Sequence, residues 1–88
     1  MQMPNIVATH AVEDKDRWAS FHSERVAVFS PYGTNVVDHI NPDGNHVAVT
    51  VNIHDMDGLM GALGTPEMKE IMDRHGVVQP VTFFVEAG

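Results

Sequence analysis

Two short runs, Val36–Ile40 and His46–Ile53, flank the segment Asn41-Pro42-Asp43-Gly44-Asn45, and this arrangement constrains the fold more than any other feature. In the second run Val47, Val49, Val51 and Ile53 alternate with His46, Ala48, Thr50, Asn52 and His54. Alternation of that length specifies a β-strand with one apolar face. Pro, Asp and Gly in the link suit a turn, so the two runs form an antiparallel hairpin. A chain containing this hairpin must build a sheet and cover at least one side of it. The other side is polar but uncharged, with histidine at both ends, and is expected to be partly enclosed.

The remaining elements follow from similar signals. Ile6 to Val12 reads as a first strand, with Ile6, Ala8, His10 and Val12 on one side. Asp14 is a candidate N-cap for one amphipathic helix from about Lys15 to Phe29, because Trp18, Phe21, His22, Arg25, Val28 and Phe29 recur at three- and four-residue spacings. Ser30-Pro31-Tyr32-Gly33 stops it. Asp55 can cap a second helical segment bearing Leu59, Met60 and Leu63. Thr65-Pro66-Glu67 then restarts the helix, and Met68, Ile71, Met72 and His75 continue its stripe to Gly76. The last strand spans about Val77 to Glu86, and Pro80, which has no N–H to donate, predicts an edge or irregular position. The order β-α-β-β-α-β predicts an α+β fold, one antiparallel sheet with its helices on one face.

At 88 residues the chain is expected to form a single domain, residues 1–88. A domain this small buries only about two-thirds of the surface its unfolded chain exposes. It has no cysteine, so neither a disulfide nor a thiolate nucleophile is available, and oligomerisation is the expected source of further burial. The formal net charge is −7, and Lys15, Arg17 and Arg25 are interleaved with Glu13, Asp14, Asp16 and Glu24. Without a basic patch, nucleic acid and anionic membrane surfaces are poor partners. Met1-Gln2-Met3-Pro4 lacks the charge and apolar run of a leader, and no stretch approaches the length of a membrane span. A cytoplasmic protein is expected.

The helix carrying Trp18 and Phe21, the short strand after Tyr32-Gly33, the strand His46–Ile53 and the segment from Leu59 through Thr65-Pro66-Glu67-Met68 to His75-Gly76-Val77 together resemble the dimeric α/β-barrel superfamily of ferredoxin-like proteins. That superfamily includes antibiotic-biosynthesis-type monooxygenases and stress-responsive barrel proteins. The resemblance is architectural and covers nearly the whole chain. It implies a homodimer whose two sheets face each other, with a small-molecule cavity beside or inside each sheet. Some relatives oxidise aromatic substrates with an Asn, Trp and His set and no metal or flavin, whereas others bind haem.

Several side chains are candidates for chemistry. His10 could project from the first strand into an apolar cavity and serve as a base, since imidazole titrates near neutrality; a strand-end histidine bonded to backbone is the plainer alternative. Asn52 and His54 share the polar side of the third strand with Thr50. If that side faces the cavity, Asn52 could donate to a developing oxyanion while His54 or His10 moves a proton. Hydrogen bonds across a dimer seam would explain Thr50 and Asn52 equally well. Asp55, beside His54, is better placed as a helix cap than as a third catalytic member. His10, His39 and His54 could in principle supply three metal nitrogens, although no short ligand-spacing motif supports this.

On the relatives' geometry His22, one turn beyond Trp18, looks over the cavity edge. Trp18, Phe21, Phe29 and Tyr32 could then wall a planar ligand, and the Tyr32 hydroxyl could orient a carbonyl or phenol. Phe83 and Phe84 point to opposite sides, one into the core and the other, assigned to Phe84, toward partner or cavity. Met60, Met68 and Met72 read as core packing, and His46 and His75 as local capping or solvent residues. Neither a GxxxxGK[ST] nor a GxGxxG phosphate loop occurs. The combined reading is a small cofactor-independent enzyme, binding no metal, that acts on an apolar or aromatic carbonyl, enol or phenol by histidine-assisted proton transfer, as a monooxygenase, an isomerase or cyclase, or a lyase. His10, His54, Asn52 and Tyr32 are the catalytic candidates; Trp18, Phe21, His22, His39 and Phe84 are the substrate-binding ones. The alternatives are a non-catalytic ligand-binding or regulatory dimer and a histidine-ligated metal enzyme.

Overall fold

A computed structural model describes residues 4–87. Met1, Gln2 and Met3, on which the expectation of a leaderless start was based, lie outside the described residues. The elements are β1 (Asn5–Val12), α1 (Lys15–Ser20), α2 (His22–Phe29), β2 (Gly33–Ile40), β3 (His46–Ile53), α3 (Met56–Leu63), α4 (Pro66–Arg74) and β4 (Val77–Val85). All strands pair antiparallel in the order β2-β3-β1-β4, the ferredoxin-like topology with both helical layers on one face.

Register follows the apolar alternation. Ile6 lies opposite Val51 and Ala8 opposite Val49, so the buried residues of β1 and β3 turn the same way, toward the helices. Trp18, Phe29 and Leu59 close over them, and Ile6, Val51, Ile53 and Leu59 are essentially inaccessible. Truncating such a residue to Ala typically costs about 2–5 kcal/mol. The hairpin turn is built as the residues imply: Asn41 N donates to His46 O at 3.0 Å, and Asn41 Oδ1 accepts from Asp43 N at 2.9 Å.

The predicted caps form. Asp14 accepts from Asp16 N and Arg17 N, Asp55 accepts from Gly58 N, and Thr65 accepts from Met68 N with Pro66 in the first turn. The single helix expected over Lys15–Phe29 is instead two, broken at Phe21. The Trp18 carbonyl accepts a 2.6 Å bond from Arg25 Nη2, and Ser20 Oγ bonds back to Arg17 O, so both compete with the helical ladder at the break. β2 starts at Gly33, three residues before the predicted Val36, and its pairing with β3 shifts register between Thr34 and Val37, where Asn35 has φ 58°. β4 is an edge strand, and its register against β1 slips opposite His10, at the segment containing Pro80.

Candidate functional site

A cavity of about 70 Å³ lies between the sheet and the helices, with an almost wholly apolar lining. Its deep wall is His10, Trp18, Arg25 and His75; its outer wall is Met68, Ile71 and Met72 of α4 with Val81 and Phe83 of β4. The outer residues other than Met68 are partly or well exposed and the deep ones are buried, so the mouth lies between α4 and the edge strand. Methionine side chains adapt their shape easily, which suits a mouth that must widen around a ligand.

His10 reaches this space because it shares the buried face of β1 with Ile6, Ala8 and Val12. It is 6% exposed and meets the Trp18 ring edge-on at 6.0 Å. Nδ1 lies 2.9 Å from Ala11 O, so in the neutral ring Nδ1–H is the donor and the Nε2 lone pair is the free position. Burial lowers the His10 pKa, with a smaller contribution from the charge of Arg25, and the bond to Ala11 only partly opposes this. The imidazole is therefore a neutral base in an apolar cavity.

Arg25 is the feature that periodicity alone missed. The residue is 5% exposed, and its guanidinium lies 3.8 Å from the centre of the Trp18 ring, a cation–π contact. Nε donates to Asp38 Oδ1 at 3.1 Å, and Nη2 to Asp38 Oδ2 and Trp18 O, both at 2.6 Å. Nη1 lies 3.1 Å from His75 Nδ1. Arginine can only donate, so His75 Nδ1 accepts and His75 Nε2–H donates to Glu24 Oε1 at 2.8 Å. Burial lowers the His75 pKa, outweighing the bond to Glu24, which fits this neutral tautomer. The Glu24 carboxyl is lowered first by its bond to Arg74 and then by that to His75. His75 also stacks on Phe21 at 4.5 Å and 10°.

His75 stands at the C-cap of α4, as expected, but its ring is not in solvent: it is 2% exposed and buttresses the cavity. One signal was available: Arg25 stands on the apolar stripe of its helix. The parity of β2 also puts Asp38, opposite Val49, on the helix side.

The structure does not bring the predicted set together. Of the nine candidates, His10 and Trp18 line the cavity, and Phe21 braces it through His75. Asn52 and Thr50 lie opposite Asn5 and Val7, on the sheet face turned away from the helices. That polar face is the one expected to be enclosed by a second copy, whereas the cavity of about 70 Å³ lies on the other side of the sheet, with the apolar alternate residues under the helices. Asn52 Nδ2 bonds Asn5 Oδ1 at 3.2 Å, and His39 Nε2 lies 3.3 Å from Thr50 Oγ1 on the same open face. Phe84, 56% exposed, is also there, opposite Val7. His22 turns outward to Asp38 at 2.9 Å instead of overlooking the cavity.

His54 is exposed just beyond β3, with its backbone N–H on Tyr32 O. Tyr32 packs against the core outside the cavity lining. His10, His39 and His54 thus point to three different environments. Among the described residues, no group of three or more His, Asp or Glu is placed to hold a metal ion. A shallow trough of about 460 Å³ on the open face is lined by Thr9, His39, His46 and the hairpin turn.

No family model and no curated protein matches the chain. Solved structures do. A Bordetella bronchiseptica protein provisionally designated an antibiotic-biosynthesis monooxygenase superposes with a TM-score of 0.76 at 12% identity, covering 100% of this chain and 98% of that one. A further structure called an antibiotic biosynthesis monooxygenase gives a TM-score of 0.69 at 13% identity, over 98% of each chain. A Mycobacterium tuberculosis protein gives 0.56 at 16% identity, over 97% of this chain and 94% of its own. At such identities the likeness establishes the ferredoxin-like fold, shared from end to end. Among the described residues no helix is long and apolar enough to cross a membrane.

Proposed function

We propose that the chain is a small cofactor-independent enzyme acting on an apolar or aromatic carbonyl, enol or phenol, with His10 as the base. The observation that carries this is the buried His10 imidazole, which lines the cavity and holds Nδ1 on Ala11 O; Nε2 is then the ring nitrogen taken to meet substrate. In the simplest step a substrate C–H or O–H bond breaks, its proton moves to Nε2, and the electron pair settles on the substrate oxygen as an enolate or phenolate. Returning the proton to another atom completes an isomerisation. The designations of the structural relatives support a second outcome for the same anion, oxygenation by dioxygen. Trp18 supplies a flat wall for a ring. Asn52, His54 and Tyr32 have no part in this step.

A homodimer through the open sheet face completes the proposal. The paired strand residues on that face, among them Val7, Thr9, Val37, Ala48, Thr50 and Phe84, include no Lys, Arg, Asp or Glu. In a chain of charge −7 this is the face on which two copies meet without repulsion. A ligand-binding role without turnover has one observation of its own, the open-face trough with His39 and His46.

The test is solvent-deuterium exchange into a panel of small aromatic ketones, cyclic enols and phenols, followed by NMR with oxygen uptake monitored alongside. The enzyme reading expects exchange or uptake that His10→Gln lowers about 10²–10⁴-fold while the protein remains folded at the assay pH. Full activity in a folded His10→Gln protein refutes it.

A further inference from the structure

We infer that Arg25, with its charge already matched by Asp38, makes the cavity selective for oxygen-bearing ligands that arrive uncharged, and makes it reject carboxylates. The inference rests on the cavity reading above and adds the charge class of the substrate. A guanidinium has five N–H donors. Four of its contacts are accounted for: two to Asp38, one to Trp18 O and one to His75 Nδ1. Among the described residues the second Nη1 hydrogen has no partner, and Arg25 lines the cavity.

A lone buried arginine would invite an anion. Here the bidentate carboxylate cancels that charge, and Glu24 stands behind His75. A carboxylate entering the cavity would leave water without a net positive charge to receive it, a costly transfer. It would also set its lone pairs against the Nε2 lone pair of His10. A neutral phenol or enol avoids both penalties, donating its O–H to Nε2 while its oxygen can accept from Nη1–H. As the proton leaves, the oxygen's growing charge is met by a fixed donor. Such an interaction strengthens only on the way to the transition state.

Trp18 is the only tryptophan and lines the cavity, so its fluorescence reports occupancy directly. The probes are phenol, neutral at pH 7.5, and benzoate, charged there and of similar shape, each titrated against the intact protein. Phenol should bind at least about tenfold more tightly than benzoate, a gap of ~1.4 kcal/mol. Asp38→Asn keeps an oxygen for Arg25 but removes the compensating charge, and should improve benzoate binding about tenfold while phenol changes little. Its folding is checked by circular dichroism; if it does not fold, the wild-type ratio decides alone. Equal binding of the two probes by the wild type overturns the inference but leaves the cavity reading standing, as does an unchanged benzoate affinity in folded Asp38→Asn. Binding of neither probe to either protein removes the cavity as a ligand site, and both readings fall.

Discussion

Replacing Asp38 with Ala should be among the most damaging single changes outside the apolar core. The carboxylate accepts from Arg25 at 3.1 and 2.6 Å and faces His22 at 2.9 Å. The side chains of Arg25 and Asp38 are only 7% and 14% exposed, so water cannot take the carboxylate's place. Breaking a buried pair by removing one member costs about 3–5 kcal/mol, mostly the penalty of leaving the other charge uncompensated. A domain of 88 residues has about 4–13 kcal/mol of total stability, so the variant should be close to unfolding.

With a urea slope near ~1 kcal/mol per molar, the midpoint should fall by about 3 M or more. The control is Glu13→Ala, which breaks a pair with Arg17 whose side chains are 43% and 63% exposed and which should cost less than about 1 kcal/mol. The double variant Arg25→Met/Asp38→Ala should recover at least half of the loss, because no unpaired charge is left behind. If Asp38→Ala costs less than about 1 kcal/mol, Arg25 is neither desolvated nor pinned, and the charge argument for the cavity fails with it.

Acid should destabilise the protein from about pH 6.5 downward. His10 and His75 have pKa values lowered by burial, so below the ordinary histidine value the unfolded chain binds more protons and stability falls with pH until the folded-state values are passed. A tenfold difference in proton affinity at either site is worth ~1.4 kcal/mol. The charges acting on His10 are those of Arg25 and His75 beside the cavity and, from the other side of the sheet, His46, and those acting on His75 are Glu24, Arg25 and Arg74, so His10→Gln and His75→Gln should each flatten a plot of melting temperature against pH. Gly76 has φ +75° with Arg17 packed against it, and Gly76→Ala should cost about 1–2 kcal/mol by urea titration; no loss would show that the turn relaxes freely. The proposed dimer predicts that the native protein sediments as two copies and that Phe84→Arg on the open face shifts it to monomer; a native monomer would refute the dimer, and an unchanged dimer would move the interface elsewhere.

The strands were legible because two-residue alternation and pairing register express one constraint, the burial of Val47, Val49, Val51 and Ile53. Asp14, Asp55 and Thr65 were legible as caps for a similarly local reason, since each bonds a backbone N–H two or three residues ahead. The break at Phe21 was not, because its cause includes the long Arg25 side chain reaching back to Trp18 O. The site was half legible. Parity put His10 on the apolar face and Asn52 on the polar one, but nothing local said which of the two faces holds the cavity. Arg25, Asp38, Glu24 and His75 meet only after sequence separations of 13 to 51 residues collapse, and no periodicity reports a contact of that kind.

The account depends on ligands entering between sheet and helices, against His10 and Trp18. Phenol titrated into isotopically labelled protein, with imidazole, indole and backbone resonances followed together, tests this directly. Saturable shifts centred on the Trp18 indole and the His10 ring, with Thr50, Asn52 and His39 unmoved, are the expected result. Shifts confined to those three residues and Phe84 would place the binding surface on the opposite face of the sheet and contradict the account.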